Sequence, residues 1–238
     1  MFFSLLILPC LSAHIKLRPR IGETLKEQLK RLYGDHIVVN YQASRRKMYG
    51  ITDCENNAIR LIYGNSFYEW TCGNQSIPNP NHVNAEHVVP QSTFKEKTPM
   101  VSDLHHLISS PSKVNNARSN FPFGEFPYSE AFRWCTNNEC TATAPDKSLY
   151  EEYSVLKKNT MFMPRVSDRG QVARAIFYFY TIYPDYNITD VGDVETFKKW
   201  NNLYPPQAHE IARNNAINRT QGNRNPYIDD PSLVDQVW

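Results

Sequence analysis

The stretch from Asn84 to Asn120, NAEHVVPQSTFKEKTPMVSDLHHLISSPSKVNNARSN, constrains the fold more than any other part of the chain. It gathers Glu86, His87, Asp103, His105, His106, Asn115, Asn116, Arg118 and Asn120, and holds three of the seven histidines. Its pattern reads as strand, loop, strand and capped helix. Glu86 to Val89 is short and β-leaning, and Leu104 to Ile108 is a second short apolar segment. Ser110-Pro111 is then a helix-start signal, with Ser as N-cap and Pro at the first helical position, and the helix is expected to run to about Arg118. A hairpin followed by a helix can bring a strand histidine and a helix asparagine to one point. Neighbouring strand residues face opposite ways, so Glu86 and His87 share a site only if a strand end or bulge turns them together.

The flanking sequence supplies a frame. Leu25, Leu29 and Leu32 recur at helical spacing over Glu23 to Tyr33, with Gly34 as a stop. Ala58 to Tyr63 reads as a strand, and Cys72 to Val83, with Gly73, Pro78 and Pro80, as a loop. The second half is largely helical. Ser167 or Asp168 is expected to cap a run holding Val172, Ala173, Ile176, Phe177 and Phe179. Phe197 and Trp200 mark a short helix ending before Pro205-Pro206, and Ala208, Ile211, Ala212 and Ile217 mark another ended by Gly222. The expected class is α+β, read as one domain over 14–238, since 238 residues at 41% hydrophobic content suit one sizeable core. A net charge of +2 excludes a histone-like tail and a strongly acidic scaffold, and leaves a nucleic-acid partner open.

The one long apolar run is residues 1–13. It is too short to span a bilayer and has the length of a signal-peptide core followed by Ser12 and Ala13. A cleaved leader implies secretion or delivery to an extracytoplasmic lumen, and would remove Cys10. Cys54, Cys72, Cys135 and Cys140 then remain, and the sequence-local choice among three pairings is Cys54–Cys72 with Cys135–Cys140. A four-cysteine zinc site is disfavoured because no C-x2-C pair occurs.

Phosphodiester hydrolysis asks for residues of the kinds gathered in 84–120. An imidazole near neutrality can deprotonate water. A hard cation with oxygen ligands can stabilise charge growing on phosphate, and Glu86 offers a carboxylate and Asn115 a neutral carbonyl. Each item alone is weak; their order and spacing are specific.

That order resembles the endonuclease I family of secreted or periplasmic nucleases, members of the ββα-metal (His-Me finger) group. The matching elements are Glu86-His-Val-Val-Pro-Gln-Ser, Met100-Val-Ser-Asp-Leu-His-His-Leu107, Val114-Asn-Asn-Ala-Arg-Ser-Asn120, Arg169-Gly-Gln-Val-Ala-Arg-Ala-Ile-Phe-Tyr178 and Gln221-Gly-Asn-Arg-Asn-Pro-Tyr-Ile-Asp229, with Pro205, Glu210, Arg213 and Asn214 between them. The resemblance implies a ββα-metal motif and a metal-dependent endonuclease cutting DNA, with RNA as a further substrate, with little sequence preference and leaving 5′-phosphate ends. It implies His87 as general base, Glu86 and Asn115 as ligands of one Mg2+ (Mn2+ or Ca2+ being possible substitutes), and Arg118 and Arg174 as phosphate contacts. Asp103 and Asn120 are expected to brace the hairpin, and His105 and His106 to support the site from behind. The expected form is a monomer without a stable protein partner.

One departure matters. Longer members carry an insertion between the two histidine motifs, with an arginine that neutralises phosphate, whereas Phe94 to Pro99 is short and has none. The cation must come from elsewhere, with Arg118 the first candidate and Lys95 or Lys97 the rivals. The basic stretches 113–118, 165–174 and 213–224 are candidates to line a nucleic-acid cleft. Two other readings compete: a non-catalytic secreted nucleic-acid-binding protein, and a secreted zinc hydrolase of another ester built from His87, Asp103, His105 and His106. Neither H-E-x-x-H nor another zinc spacing supports the latter.

Overall fold

The computed structural model describes residues 20–238. The leader assigned to 1–13, and Cys10 with it, lies outside the described residues. Helix α1 (Leu25–Tyr33) begins at a capping box in which Thr24 and Glu27 satisfy each other's backbone N–H groups, and ends at Gly34 as the leucine spacing indicates. Helix α2 (Tyr41–Lys47) is capped by the Asn40 side chain and runs on into a wider turn over Met48–Thr52.

Three antiparallel sheets follow. Strands β1 (Cys54–Glu55), β2 (Ala58–Leu61) and β3 (Ser66–Glu69) form the first. Strand β4 (Val83–His87) is joined to β5 (Leu107–Pro111) by a loop holding the short helix α3 (Gln91–Phe94), and this pair is the second sheet. Helix α4 (Ser112–Arg118) leaves β5 directly. The third sheet orders β7-β6-β8-β9, from β6 (Ala131–Thr136), β7 (Glu139–Thr141), β8 (Ser154–Lys157) and β9 (Met161–Met163). The rest is helical: α5 (Val166–Ile182), α6 (Val194–Leu203), α7 (Ala208–Gln221), α8 (Pro226–Asp229) and α9 (Leu233–Val237).

The core gathers on α5. Every residue from Asp168 to Ile182 except Gln171 is buried, as expected of a helix that is apolar on all sides and enclosed by its neighbours. Helices α1, α6 and α8 pack against it. Gly170 permits the closest approach, since a Cβ there would lie 2.1 Å from the carbonyl oxygen of Tyr204. A second apolar cluster, including Met48, Tyr49, Ile59, Leu61, Val83, Leu107 and Ile217, fills the space around β2, β4 and β5. Strand β5 is buried along its whole length.

The architecture is mixed α and β with a helical second half, as the sequence indicates, and both expected disulfides are present, Cys54–Cys72 and Cys135–Cys140. Two helix starts differ. Ser110 and Pro111 belong to β5, because its ladder with β4 continues to a Val83–Pro111 pair. Pro111 is extended, and the Ser112 N–H bonds the His82 carbonyl at 3.0 Å, so the helix begins one residue later than expected. In α5 neither Ser167 nor Asp168 caps the helix; Asp168 reaches out of the first turn to the backbone N–H of Tyr63 at 2.8 Å and to Arg165.

Candidate active site

The end of β4 carries Glu86 and His87, opposite Ile108 and Leu107 of β5. Both side chains are nearly closed off, with Glu86 2% and His87 4% exposed. The strand stays regular through both residues, so they find different neighbours. The Glu86 carboxylate accepts the Tyr63 hydroxyl at 3.1 Å on Oε1 and meets Arg118 at 3.5 Å on the same oxygen. Among the described residues no protein group bonds Oε2. Burial pushes the Glu86 carboxyl up to about 7, against the pull of Arg118 and the Tyr63 hydrogen bond.

The His87 ring packs against Tyr41 at 5.4 Å, His106 at 5.5 Å and Phe94 at 6.0 Å between centroids. Its Nε2 lies 2.9 Å from the carbonyl oxygen of Val101. A carbonyl only accepts, so Nε2 carries the hydrogen and Nδ1 keeps the lone pair. Burial, together with His106, Arg118 and Arg45, pushes His87 down to about 3. The ring is therefore neutral at neutral pH.

Tyr41 joins the two. Its ring touches His87, and its phenol, raised by burial, also responds to the charges of Arg45 and Glu86. Sequence reading missed Tyr41 and Tyr63. The only available signal for the first was Tyr41, Arg45 and Tyr49 at four-residue spacing, which places them along one helical face.

Helix α4 packs on β4 and β5, carrying Asn115 one turn from its start. Asn115 is half-buried. Among the described residues no cluster of three His, Cys, Asp or Glu side chains can hold a metal. One open carboxylate oxygen and one amide are hard donors that suit a cation retaining much of its water, and they fit zinc poorly.

Asp103, His105 and His106 brace the site. Asp103 is fully buried and accepts four hydrogen bonds: from Tyr178 at 3.0 Å, Tyr183 at 2.7 Å, Gln221 at 2.8 Å and the His105 backbone at 3.0 Å. His105 and His106 hold the carbonyls of Asn223 at 3.3 Å and Met100 at 2.6 Å. Asn120 is exposed beyond α4, and no side-chain hydrogen bond ties it to the hairpin.

Burial alone would raise Asp103, but His105, His36, His106 and the Gln221 amide outweigh it and hold the carboxyl down to about 2, below its ordinary 3.8. A folded-state value below the unfolded one adds stability above the ordinary value, lost as pH falls through the folded one. Between about pH 4 and 2 the wild-type melting temperature should therefore fall more steeply than that of Asp103→Asn. Parallel curves in a thermal melt series would refute the assignment.

The basic stretches differ most from expectation, because much of their charge turns inward. Arg165 pairs with Asp168, Arg174 with Glu210 and Arg213 with Asp53, each at 2.7 Å and each largely buried. Arg118 is 1% exposed and bonds the carbonyls of Val88 at 2.8 Å and His87 at 3.4 Å. It holds the strand end that carries the site. Arg174 is bonded through Nε, Nη1 and Nη2 to Glu210, Asn201 and the Tyr204 carbonyl, which spends four of the five N–H donors of a side chain only 1% exposed.

Comparison with known proteins shows what the chain is similar to. The chain is 27% identical to the extracellular ribonuclease of Bacillus subtilis, over 92% of its own length and 75% of that protein's. It is 24% identical to an extracellular deoxyribonuclease of Aeromonas hydrophila, over 86% and 87%. It is 26% identical to an endonuclease-1 of Buchnera aphidicola, over 66% and 67%. The family profile of endonuclease I matches residues 21–232, so the chain belongs to the endonuclease I family.

Proposed function

We propose that this chain is a secreted, metal-dependent endonuclease that hydrolyses phosphodiester bonds of DNA and RNA with little sequence preference. The observation that carries the reading is the tautomer of His87. With Nε2–H committed to Val101, Nδ1 is left as a neutral acceptor on the strand end that also carries Glu86. In the proposed reaction Nδ1 takes a proton from water, the water oxygen bonds to phosphorus in line, and the 3′ oxygen leaves and is protonated from solvent. The products are a 5′-phosphate and a 3′-hydroxyl. Arg118 fixes the backbone at His87 and Val88, and Tyr63 orients Glu86.

Glu86 and Asn115 would hold Mg2+, with Mn2+ or Ca2+ as possible substitutes; when bound, the ion supplies positive charge to the phosphate and the departing oxygen. The names of the relatives support both substrates, since one is a ribonuclease and another a deoxyribonuclease. Those names, extracellular in both, also support secretion, and among the described residues no helix is long and apolar enough to cross a membrane.

The test is nicking of supercoiled plasmid and cleavage of a long RNA by wild-type protein with Mg2+, and again with EDTA. Cleavage of both, abolished by the chelator, is expected. Intact substrates in the presence of Mg2+, Mn2+ and Ca2+ would sink the proposal.

A further inference from the structure

We propose that Arg45, presented from α2 over the Tyr41 ring that packs on His87, is the cation that contacts the scissile phosphate in this chain. The inference rests on the nuclease reading above and answers a question that reading leaves open, namely which charge replaces the arginine missing between Phe94 and Pro99.

Four observations on α2 carry it. The Arg45 guanidinium lies over two rings of its own helical face, 5.5 Å from the centroid of Tyr41 and 5.9 Å from that of Tyr49. The Tyr41 ring is in turn 5.4 Å from the imidazole of His87. The helix is anchored to the loop that holds His87, because the Ser44 hydroxyl bonds the Ser102 carbonyl next to Val101. Finally, Arg45 enters none of the ion pairs found among the described residues, and its Nε is buried with no hydrogen-bond partner.

The other candidates are worse placed. Arg118 is committed to the carbonyls of Val88, His87 and Ser119 and to Glu86. Lys95 and Lys97 are exposed on the turn after α3. A guanidinium lying over two rings is weakly hydrated, and Arg45 is only half-buried, so part of it stays open to solvent. That is the form a charge needs if it is to act on the transition state rather than merely attract the strand.

The experiment compares Arg45→Met, Arg45→Lys and Arg45→Ala with wild type and with His87→Ala in plasmid nicking under Mg2+, after near-ultraviolet circular dichroism has shown which variants are folded. Met and Lys keep the aliphatic stem between the rings. The expected result is a drop of about 10²–10³ in kcat for Arg45→Met with KM changed less than about threefold, and a smaller drop for Arg45→Lys. Free guanidinium should restore part of the Arg45→Ala rate and none of the His87→Ala rate. If Arg45→Met keeps kcat within about threefold of wild type, or loses activity only through KM, while His87→Ala is inactive, the proposal is overturned and the nuclease reading stands. If wild type itself leaves the plasmid intact, both fall.

Discussion

Replacing His87 with alanine should lower kcat for plasmid nicking by about 10²–10⁴, the typical contribution of a positioned general base. The effect should sit in kcat, because the ring that would receive a proton does not hold the strand. The geometry defines the loss. Val101 occupies Nε2, so only Nδ1 is available. His106 lies against the His87 ring, but it is fully buried against Phe94 and Phe179 and away from water. Alanine also leaves a hole among Tyr41, Phe94 and His106, so a melting temperature should be measured beside the rate. His87→Gln keeps most of the volume and cannot act as the base. A Gln variant that is folded and cuts at the wild-type rate would end the assignment.

The second large effect is on stability. Arg174→Met should destabilise the protein by about 3–5 kcal/mol, because it leaves the Glu210 carboxylate buried without its partner. At about 2–4 °C per kcal/mol for a chain of this size, the melting temperature should fall by roughly 6–20 °C. The two side chains are 1% and 2% exposed and share two hydrogen bonds of 2.7 Å, so solvent cannot screen the loss. The double variant Arg174→Met with Glu210→Leu should recover much of it, since an apolar pair removes the stranded charge. This separates the brace from the phosphate contact that the family pattern alone suggests for Arg174. A phosphate contact would raise KM and leave melting unchanged, and that outcome in calorimetry and kinetics would refute the structural role.

Much of the fold could be read from the chain because its signals are local. The leucines of α1 with Gly34, and Gly222 after α7, act within one or two helical turns, and the elements lie where those residues indicate. The Glu86-His87 strand, the second strand and the Asn115 helix are likewise contiguous. What could not be read depends on partners far away in sequence. Asp168 leaves its helix for Tyr63, and Arg213 for Asp53, 160 residues away. A run of arginines looks the same in sequence whether it faces solvent or a buried carboxylate. Pro111 shows the same limit at one residue, because a strand ladder outlasted a helix-start signal. Tyr41 and Arg45 lie roughly forty residues before the motif and carried no pattern distinctive enough to join to it.

The inward arginines have a kinetic consequence. Arg118, Arg165, Arg174 and Arg213 spend their charge on Glu86, Asp168, Glu210 and Asp53 inside the fold. On the proposed reading these four charges are not available to follow a strand, and only the basic side chains left at the surface grip a polyanion. Fewer phosphates are then neutralised than the arginine content suggests, so cleavage of a long polymer should weaken less steeply with added salt than a count of basic residues would indicate.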